Sequence, residues 1–562
     1  MSKQSKAPMP AHRFKRHPFV MGALALGIAA AIGLLWAYYW RVFFYLDDRF
    51  PAWGTTGGCI GFCLVVAAAA FLVRRLRNLS VRAAVCIFLC GILFAFANPP
   101  LQTPDESDHY LRTYAISLGR FDFDYNRTYP DDVASLLDAF PGAWVNAHTS
   151  VGIGTDPDTG ADKPYDTAGY ALKQYGDGGQ IQSIADSFAA YRSSVSDPDS
   201  ELAPVHEPVS FLILPFLPGA VGMAVARLFG LGALGCLYGG RIGNLLAYTV
   251  LCYMALRAAK RYRPVFLCIM LLPLSLFMGA SLSYDATLLG CYYLMAALLT
   301  RDCWTTRTAA VYAAACIFVN IAKPYLNLLW VLLPLVLLAP DLWKAKGRRW
   351  LWCVGMAGGS LAATLGVEVY GRLMRHNYPV IARQGGQAVD SVAQLMFVLR
   401  NPLRTISVFL GTLYENDFFL GQLGLFGWKD LPISLLNLLG PVALLAAALL
   451  SAGQGPGLGR RRWGGFGGFT VVYMAGAMAA MYITYTPVAM IRIVGLQARY
   501  FLPVFLVLAL LAVAPLRRVL VPRLDTGRGE QLGCVLFAAH ALLGSILLFQ
   551  HYFVGPFYTI PL

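Results

Sequence analysis

Long apolar runs, each of about 17 to 25 residues, recur along this chain, and that is the length an α-helix needs to cross the ~30 Å hydrocarbon core of a bilayer. A backbone in that environment can satisfy its own polar groups only as helices or as a closed barrel. Composition points the same way: 57% hydrophobic against 13% charged over 562 residues is far from the usage of soluble domains, whose cores could not hide so much apolar surface. The expected class is an all-α polytopic membrane protein.

Thirteen runs are good span candidates, near 18–40, 57–73, 82–97, 241–256, 264–280, 284–300, 306–320, 324–340, 349–370, 432–450, 467–487, 499–516 and 533–551. The first follows a basic tail (Arg13, Lys15, Arg16), is too long for a signal-peptide core and lacks a small-residue cleavage site, so it reads as a retained span. A further run, 209–232, is apolar enough to insert and carries Pro215 and Pro218. A full crossing there would put the Arg257, Lys260, Arg261, Arg263 cluster on the wrong side. It is therefore expected to be a re-entrant or juxtamembrane helix, the alternative being a crossing compensated by a missed span elsewhere.

Orientation follows from Lys and Arg in short loops, which the insertion machinery retains on the cytoplasmic side. The clusters at Arg13–Arg16, Arg74–Arg77, Arg257–Arg263, Arg301/Arg307, Lys344–Arg349, Arg460–Arg462 and Arg517–Arg523 fall in alternate loops if the N-terminus is cytoplasmic and the C-terminus extracytoplasmic. The formal net charge of +15 is thus spread between spans rather than gathered on one domain, which argues against nucleic acid as a partner and leaves membrane lipids. Acid is concentrated instead in the polar segment 98–208: from Asp105 to Glu207 lie 18 of the chain's 30 acidic residues against 6 of its 45 basic ones, as expected of an outer loop. None of the 12 cysteines lies there, so neither a disulfide framework nor a metal cluster is indicated.

The chain divides accordingly into a cytoplasmic basic tail (1–17), an additional N-terminal span pair (18–81), a main membrane domain (82–516, outer loops 98–208 and 371–431), and a basic loop with the last span (517–562). In the first outer loop, Tyr110, Leu111, Tyr114, Ala115 and Leu118 recur at spacings of three and four, the pattern of an amphipathic helix lying on the membrane or bundle surface, with Pro104 and Asp105 at its start. The tail of that loop, 155–204, is rich in Asp, Gly, Ser and Pro and reads as irregular. A second amphipathic stretch, Leu395 to Leu413, has Arg400 and Arg404 one turn apart and is expected at the interface.

The topology brings a set of ionisable residues to the outer face: Asp105 and Glu106 after span three, Asp285 at the start of span six, Lys323 between spans seven and eight, and Arg499 at the start of span twelve. Ionisable groups at the ends of apolar spans are costly unless paired or facing water. Carboxylates and cations around one outer cavity are what is needed to hold an anionic head group while a carboxylate takes the proton of an attacking hydroxyl. Blander readings exist for each: Asp105, Glu106 and Asp285 as helix caps, Lys323 and Arg499 as snorkelling side chains, His109 as a hydrogen-bonding surface histidine. No glycine-rich nucleotide loop, metal-spaced His/Cys cluster or GxSxG elbow is present, which argues against an energy-coupled pump with its own nucleotide site.

The segment PPLQTPDESDHYLRTYAISLG resembles the signature of a group of bacterial polytopic membrane proteins of unknown function, whose first outer loop carries a Pro-Asp-Glu-x-x-His pattern. EPVSFLILPFLPGAVG, the Arg241-Ile-Gly-Asn helix, SLSYDATLLG, AKPYLNLLW, LFGWKDLP and VGLQARYFLPVF match in the same order, over roughly 90–510. That family is similar to the GT-C superfamily of membrane glycosyltransferases that use polyprenyl-phosphate sugars. The resemblance implies a GT-C-like bundle of about thirteen spans with a large catalytic first outer loop. It also implies inverting transfer of a sugar from a polyprenyl-phosphate donor to a cell-envelope acceptor at the extracytoplasmic face. Asp105 would then be the general base with Glu106 assisting or orienting; Lys323, Arg499 and Arg112 would hold the lipid-linked phosphate; His109, Asp285, Gln497 and Tyr500 would complete the substrate site. No cofactor is required, although a divalent cation is compatible. Ala498 replaces an expected glycine and Tyr284 a commoner proline; neither change removes a functional group. The rival readings are a transporter or flippase of lipid-linked saccharides, and a polysaccharide polymerase or ligase.

Overall fold

The computed structural model of the protein describes residues 52–124, 127–140, 151–155, 162–166, 184–196, 202, 205, 212–323, 326–337, 349–375, 389–415, 421–428, 431–453, 457–519, 526–549 and 552–553. The expected tail 1–17 and first span 18–40 lie outside the described residues. Two units make up the chain, Met1–Arg75 and Leu76–Leu562. In the first, α1 (Ala52–Arg75) is an apolar helix about 36 Å long, ending on Arg74 and Arg75.

The second unit begins with α2 (Leu79–Ala97), whose first turn is capped by Asn78: its side chain accepts the amide hydrogens of Ser80 and Val81. A turn leads to α3 (Glu106–Ser117) and then α4 (Asp131–Ala139). An antiparallel hairpin follows, β1 (Val151–Thr155) with β2 (Asp162–Asp166) in the register Val151 opposite Asp166, then α5 (Ile184–Ser196), so the stretch 155–204 expected to be irregular contains a strand and a helix. α6 (Leu217–Leu228) follows a 3-10 turn at Leu214–Phe216, and α7 spans Ala233–Ala258. Next come α8 (Arg263–Leu271), α9 (Pro273–Gly279), α10 (Asp285–Leu299), α11 (Thr306–Ala322), α12 (Leu329–Leu337) and α13 (Arg349–Arg375). α14 (Ser391–Arg400) and α15 (Pro402–Glu415) precede a short hairpin, β3 (Leu425–Phe426) with β4 (Leu431–Pro432). α16 (Ser434–Ala452), α17 (Arg460–Thr484), a 3-10 turn at Ala498–Phe501, α18 (Leu502–Val519) and α19 (Thr526–Phe549) complete it.

The centre is α8, α9 and α10. Pro264 to Leu271 of α8, all of α9 and all fifteen residues of α10 are buried, as expected of helices that are apolar all round. α2, α7, α11, α16, α18 and α19 pack around them. This is an all-α membrane protein: among the described residues, five helices (Leu79–Ala97, Ser434–Ala452, Arg460–Thr484, Ala498–Val519 and Arg528–Phe549) are long and apolar enough to cross a bilayer by themselves.

Several expected runs differ in detail. The run at 264–280 is two helices, because Leu272 is extended (ψ 133°) ahead of Pro273, whose ring disfavours a helical predecessor. The amphipathic stretch at 395–413 is likewise split at Pro402. α3 is not a surface helix: Glu106 and Tyr110 through Ile116 are buried beneath neighbouring elements, α6 and α7 among them. The 209–232 region gives α6, which runs beside the first half of α7. A Cβ on Gly222 would collide with the Gly239 carbonyl oxygen, and one on Gly243 with that of Pro218, so side-chain-free backbone is what lets the two helices meet.

Two ends of the bundle are distinct. α2 finishes, α10 starts, α11 finishes and α18 starts at one end, the site end. At the other, Arg261 pairs with Asp302 (3.2 Å), Arg263 with Glu530 (3.4 Å), and Arg462 donates to the Thr300 carbonyl (3.4 Å), so the basic loops after α7, after α10 and before α17 gather together.

Candidate functional site

The turn between α2 and α3 is tightly built. Asn98 closes α2 and its Nδ2 donates to Thr103 Oγ1 (2.9 Å). Leu101 and Asp105 both have φ 61°, a left-handed conformation that costs about 1 kcal/mol or more for residues other than glycine, less for Asp and Asn. Asp105 occupies the N-cap position of α3 yet makes no capping bond. Its side chain, 51% exposed, accepts instead from Arg499 Nη2 at 2.7 Å. Capping does not account for this residue.

Arg499 lies in the 3-10 turn that opens α18, only 6% exposed in its side chain. Nη1 donates to the Pro104 carbonyl (3.3 Å) and Nη2 also to Tyr500 Oη (3.3 Å), while Nε lies 3.6 Å from Asp285 Oδ2. Asp285 is the first residue of α10; its other oxygen accepts from Lys323 Nζ at 2.6 Å. Lys323 in turn ends α11, where its carbonyl accepts from Asn327 Nδ2 (2.7 Å). An acid at a helix N-terminus and a cation at a C-terminus both suit the helix dipole. Four residues from four segments thus form one chain of alternating charge, Asp105, Arg499, Asp285, Lys323, with no net charge. Lys323 and Arg499 do not snorkel away; Lys323 Nζ also sits 4.8 Å from the ring centre of Tyr500 and 5.4 Å from that of Tyr284.

His109 is one turn along α3 from Asp105, its ring edge-on to Tyr284 (4.9 Å) and tilted on Phe216 (5.5 Å). Its Nδ1 is buried without a hydrogen-bond partner among the described residues. Burial lowers its pKa to about 4 against the opposing pull of Asp105 and Asp285, so the ring is neutral near pH 7. For Asp105, burial alone would raise the pKa, but the Arg499 charge, His109 and the Arg499 hydrogen bond together hold it below the usual carboxylate value.

Two expected site residues point elsewhere. Arg112 is fully buried and donates to the carbonyls of Leu212 (3.2 Å), Asp122 (2.9 Å) and Phe121 (3.0 Å); it ties loop backbone to α3 and does not join the charged chain. Glu106 is also fully buried. Oε1 accepts from Arg241 Nε (2.9 Å) and the Leu282 amide (3.0 Å); Oε2 accepts from Arg241 Nη2 (2.7 Å) and the Thr103 amide (3.3 Å). A carboxylate has about four acceptor positions and these four bonds fill them. With its acceptor positions filled and its side chain 0% exposed, Glu106 has no vacant lone pair to act as a base; of the two roles expected of it, assisting or orienting, this geometry suits the second. Its partner Arg241, on α7, belongs to the Arg-Ile-Gly-Asn motif but is not among the residues expected at the site. The available signal was a lone arginine inside an apolar run, costly in a membrane without a partner.

Gln497 and Arg499 line a small open cleft together with Pro104, Phe277, Met278 and Leu425. Among the described residues no group of three or more His, Cys, Asp or Glu gathers to hold a metal ion. The two carboxylates nearest to such a role, Asp105 and Asp285, are already engaged by cations, so the site does not offer a ready set of oxygen ligands.

An all-α membrane bundle with a charge-paired cluster at one end is the class that fold and site define. Residues 199–508 match the family described as predicted membrane protein (DUF2142), and the chain belongs to that family. The match includes Asp285, Lys323 and Arg499 but begins after the turn that carries Asp105. No curated protein and no solved structure matches the chain.

Proposed function

We propose that this protein is a membrane glycosyltransferase of GT-C-like architecture with about thirteen spans, moving a sugar from a polyprenyl-phosphate donor to a cell-envelope acceptor at the extracytoplasmic face. The observation that carries the reading is the chain Asp105, Arg499, Asp285, Lys323: a half-exposed carboxylate beside two largely buried cations, all at one end of the bundle. The arginine-rich loops at the opposite end support the orientation, since such loops stay cytoplasmic. A carrier working by alternating access would place its charges near mid-span, where both gates reach them.

In the proposed reaction an acceptor hydroxyl gives its proton to Asp105 as its oxygen attacks the anomeric carbon. The bond from that carbon to the phosphate oxygen breaks with inversion, and polyprenyl phosphate leaves with the electron pair. Arg499 and Lys323 stabilise the charge that develops on the phosphate. Asp105 paired to Arg499 is a weak base. A donor phosphate that takes over Arg499 removes the contact that holds the Asp105 pKa down, so base strength rises when the donor is in place. Protein in nanodiscs given a panel of radiolabelled polyprenyl-phosphate sugars should consume one of them, and Asp105→Asn should abolish turnover with donor binding intact. Full turnover by that variant removes Asp105 as the base; consumption of no donor by the wild type removes the reading itself.

A further inference from the structure

We propose that the Glu106–Arg241 pair is a positioning device that holds the Asp105 and Asp285 turns in register on either side of Arg499. The proposal deepens the functional reading above, but its geometry does not depend on which reaction is catalysed.

Arg241 carries five N–H donors and all five are used. Nε and one Nη2 hydrogen go to Glu106; the others go to the carbonyls of Ala95 (2.8 Å), Asn98 (2.6 Å) and Pro99 (2.8 Å), the last turn of α2 and the start of the turn after it. Glu106 is equally saturated, and what it holds is specific. The Thr103 amide is two residues before Asp105, and the Leu282 amide is three before Asp285. One carboxylate thus ties together the two backbone turns whose aspartates flank Arg499, while Arg241 anchors that carboxylate to α7 and to the end of α2. Both side chains are 0% exposed, so water cannot substitute for a lost bond.

The registration matters because the Asp105 turn is not at a backbone minimum. Left-handed Leu101 and Asp105 bracket Thr103, and such residues persist where surrounding bonds over-determine them. Released from Glu106, the turn relaxes and Asp105 leaves Arg499. Glutamate at 106 is specified by reach as well as charge: aspartate, one methylene shorter, cannot span from α3 to Arg241 and the Leu282 amide together. Lysine at 241 is excluded by its three donors.

The test is carboxylate labelling of the full-length protein in nanodiscs with a carbodiimide and an amine, read by mass spectrometry, with exposed Asp108 on the same helix as the internal reference. In the wild type Asp105 should label more slowly than Asp108. In Glu106→Asp and Arg241→Lys the Asp105/Asp108 ratio should rise at least fivefold. A core variant near the far end of α7, Leu256→Ala, fifteen residues from Arg241 and buried in a different cluster, should lower stability without moving the ratio. An unchanged ratio in folded Glu106→Asp overturns the proposal, as does an equal rise in Leu256→Ala. Should neither variant of the pair fold, hydrogen exchange on the wild type decides: the Thr103 and Leu282 amides, although in turns, should exchange as slowly as those of α10, and rapid exchange at either overturns it. Failure to turn over any sugar donor would refute the functional reading while leaving these readouts intact.

Discussion

Neighbouring carboxylates in one motif should respond very unequally to the same isosteric change. Asp105→Asn replaces a half-exposed carboxylate with an amide whose oxygen can still accept from Arg499, and the buried Arg499 keeps Asp285 at 3.6 Å as counter-ion, so the cost should stay near that of exposed pairs, about 0–1 kcal/mol. Asparagine also tolerates the left-handed backbone at this position at least as well as aspartate, so backbone strain does not increase. The expected loss of stability is therefore within about 1 kcal/mol. Glu106→Gln is different. It leaves Arg241 charged, buried and without a counter-ion, and it turns an amide NH2 toward donors whichever way the side chain is flipped: Arg241 Nη2 and the Thr103 amide on one side, Arg241 Nε and the Leu282 amide on the other. Breaking a buried pair from one side costs about 3–5 kcal/mol, or roughly a hundred- to a few-thousandfold in the folding equilibrium. Reversible unfolding in mixed micelles, titrated with a denaturing detergent and followed by circular dichroism, measures both variants against the wild type. Equal shifts for the two, or a larger one for Asp105→Asn, would refute the division of roles.

Stability should depend on pH through His109. Its pKa in the folded state, about 4, lies below the ordinary value near 6.5, so between those values the unfolded chain binds a proton that the native one does not. Stability should fall on acidification from about pH 6.5 to 4, and His109→Gln should flatten that slope in melting curves; an unchanged slope would exclude His109 as a source. For the Asp285–Lys323 pair, whose carboxylate is buried and whose ammonium is partly exposed, Lys323→Met should destabilise by more than the double variant Asp285→Asn/Lys323→Met, because the single change leaves a buried carboxylate with only Arg499 at 3.6 Å. Additive effects in that cycle would show that the pair is uncoupled. Gly222→Ala should cost about 1–3 kcal/mol by forcing α6 off α7, whereas Gly230→Asn, in a turn with φ 71°, should be tolerated; detergent unfolding distinguishes them.

The sequence by itself determined the class of protein and the membership of most of the site. Apolar runs long enough to span a bilayer are a local property, and so is a charge at the end of such a run. Asp105, Asp285, Lys323 and Arg499 could be singled out because each borders an apolar segment, and alternation of the basic loops assigned all four to one face. Helix breaks were less legible: Pro273 and Pro402 are visible as residues, but whether a proline kinks, starts or divides a helix depends on what packs around it.

Only the tertiary structure decided which charged group answers which. Asp105 and Glu106 are adjacent in sequence and the same in charge, yet one points to Arg499, 394 residues away, and the other to Arg241, 135 residues away. Arg112 looked like a phosphate ligand and is consumed by three backbone carbonyls. Sequence spacing fixes the face of a helix on which a side chain emerges. It does not fix which distant element covers that face, and in a low-dielectric interior the covering element decides whether a charge is left open for chemistry or satisfied as structure.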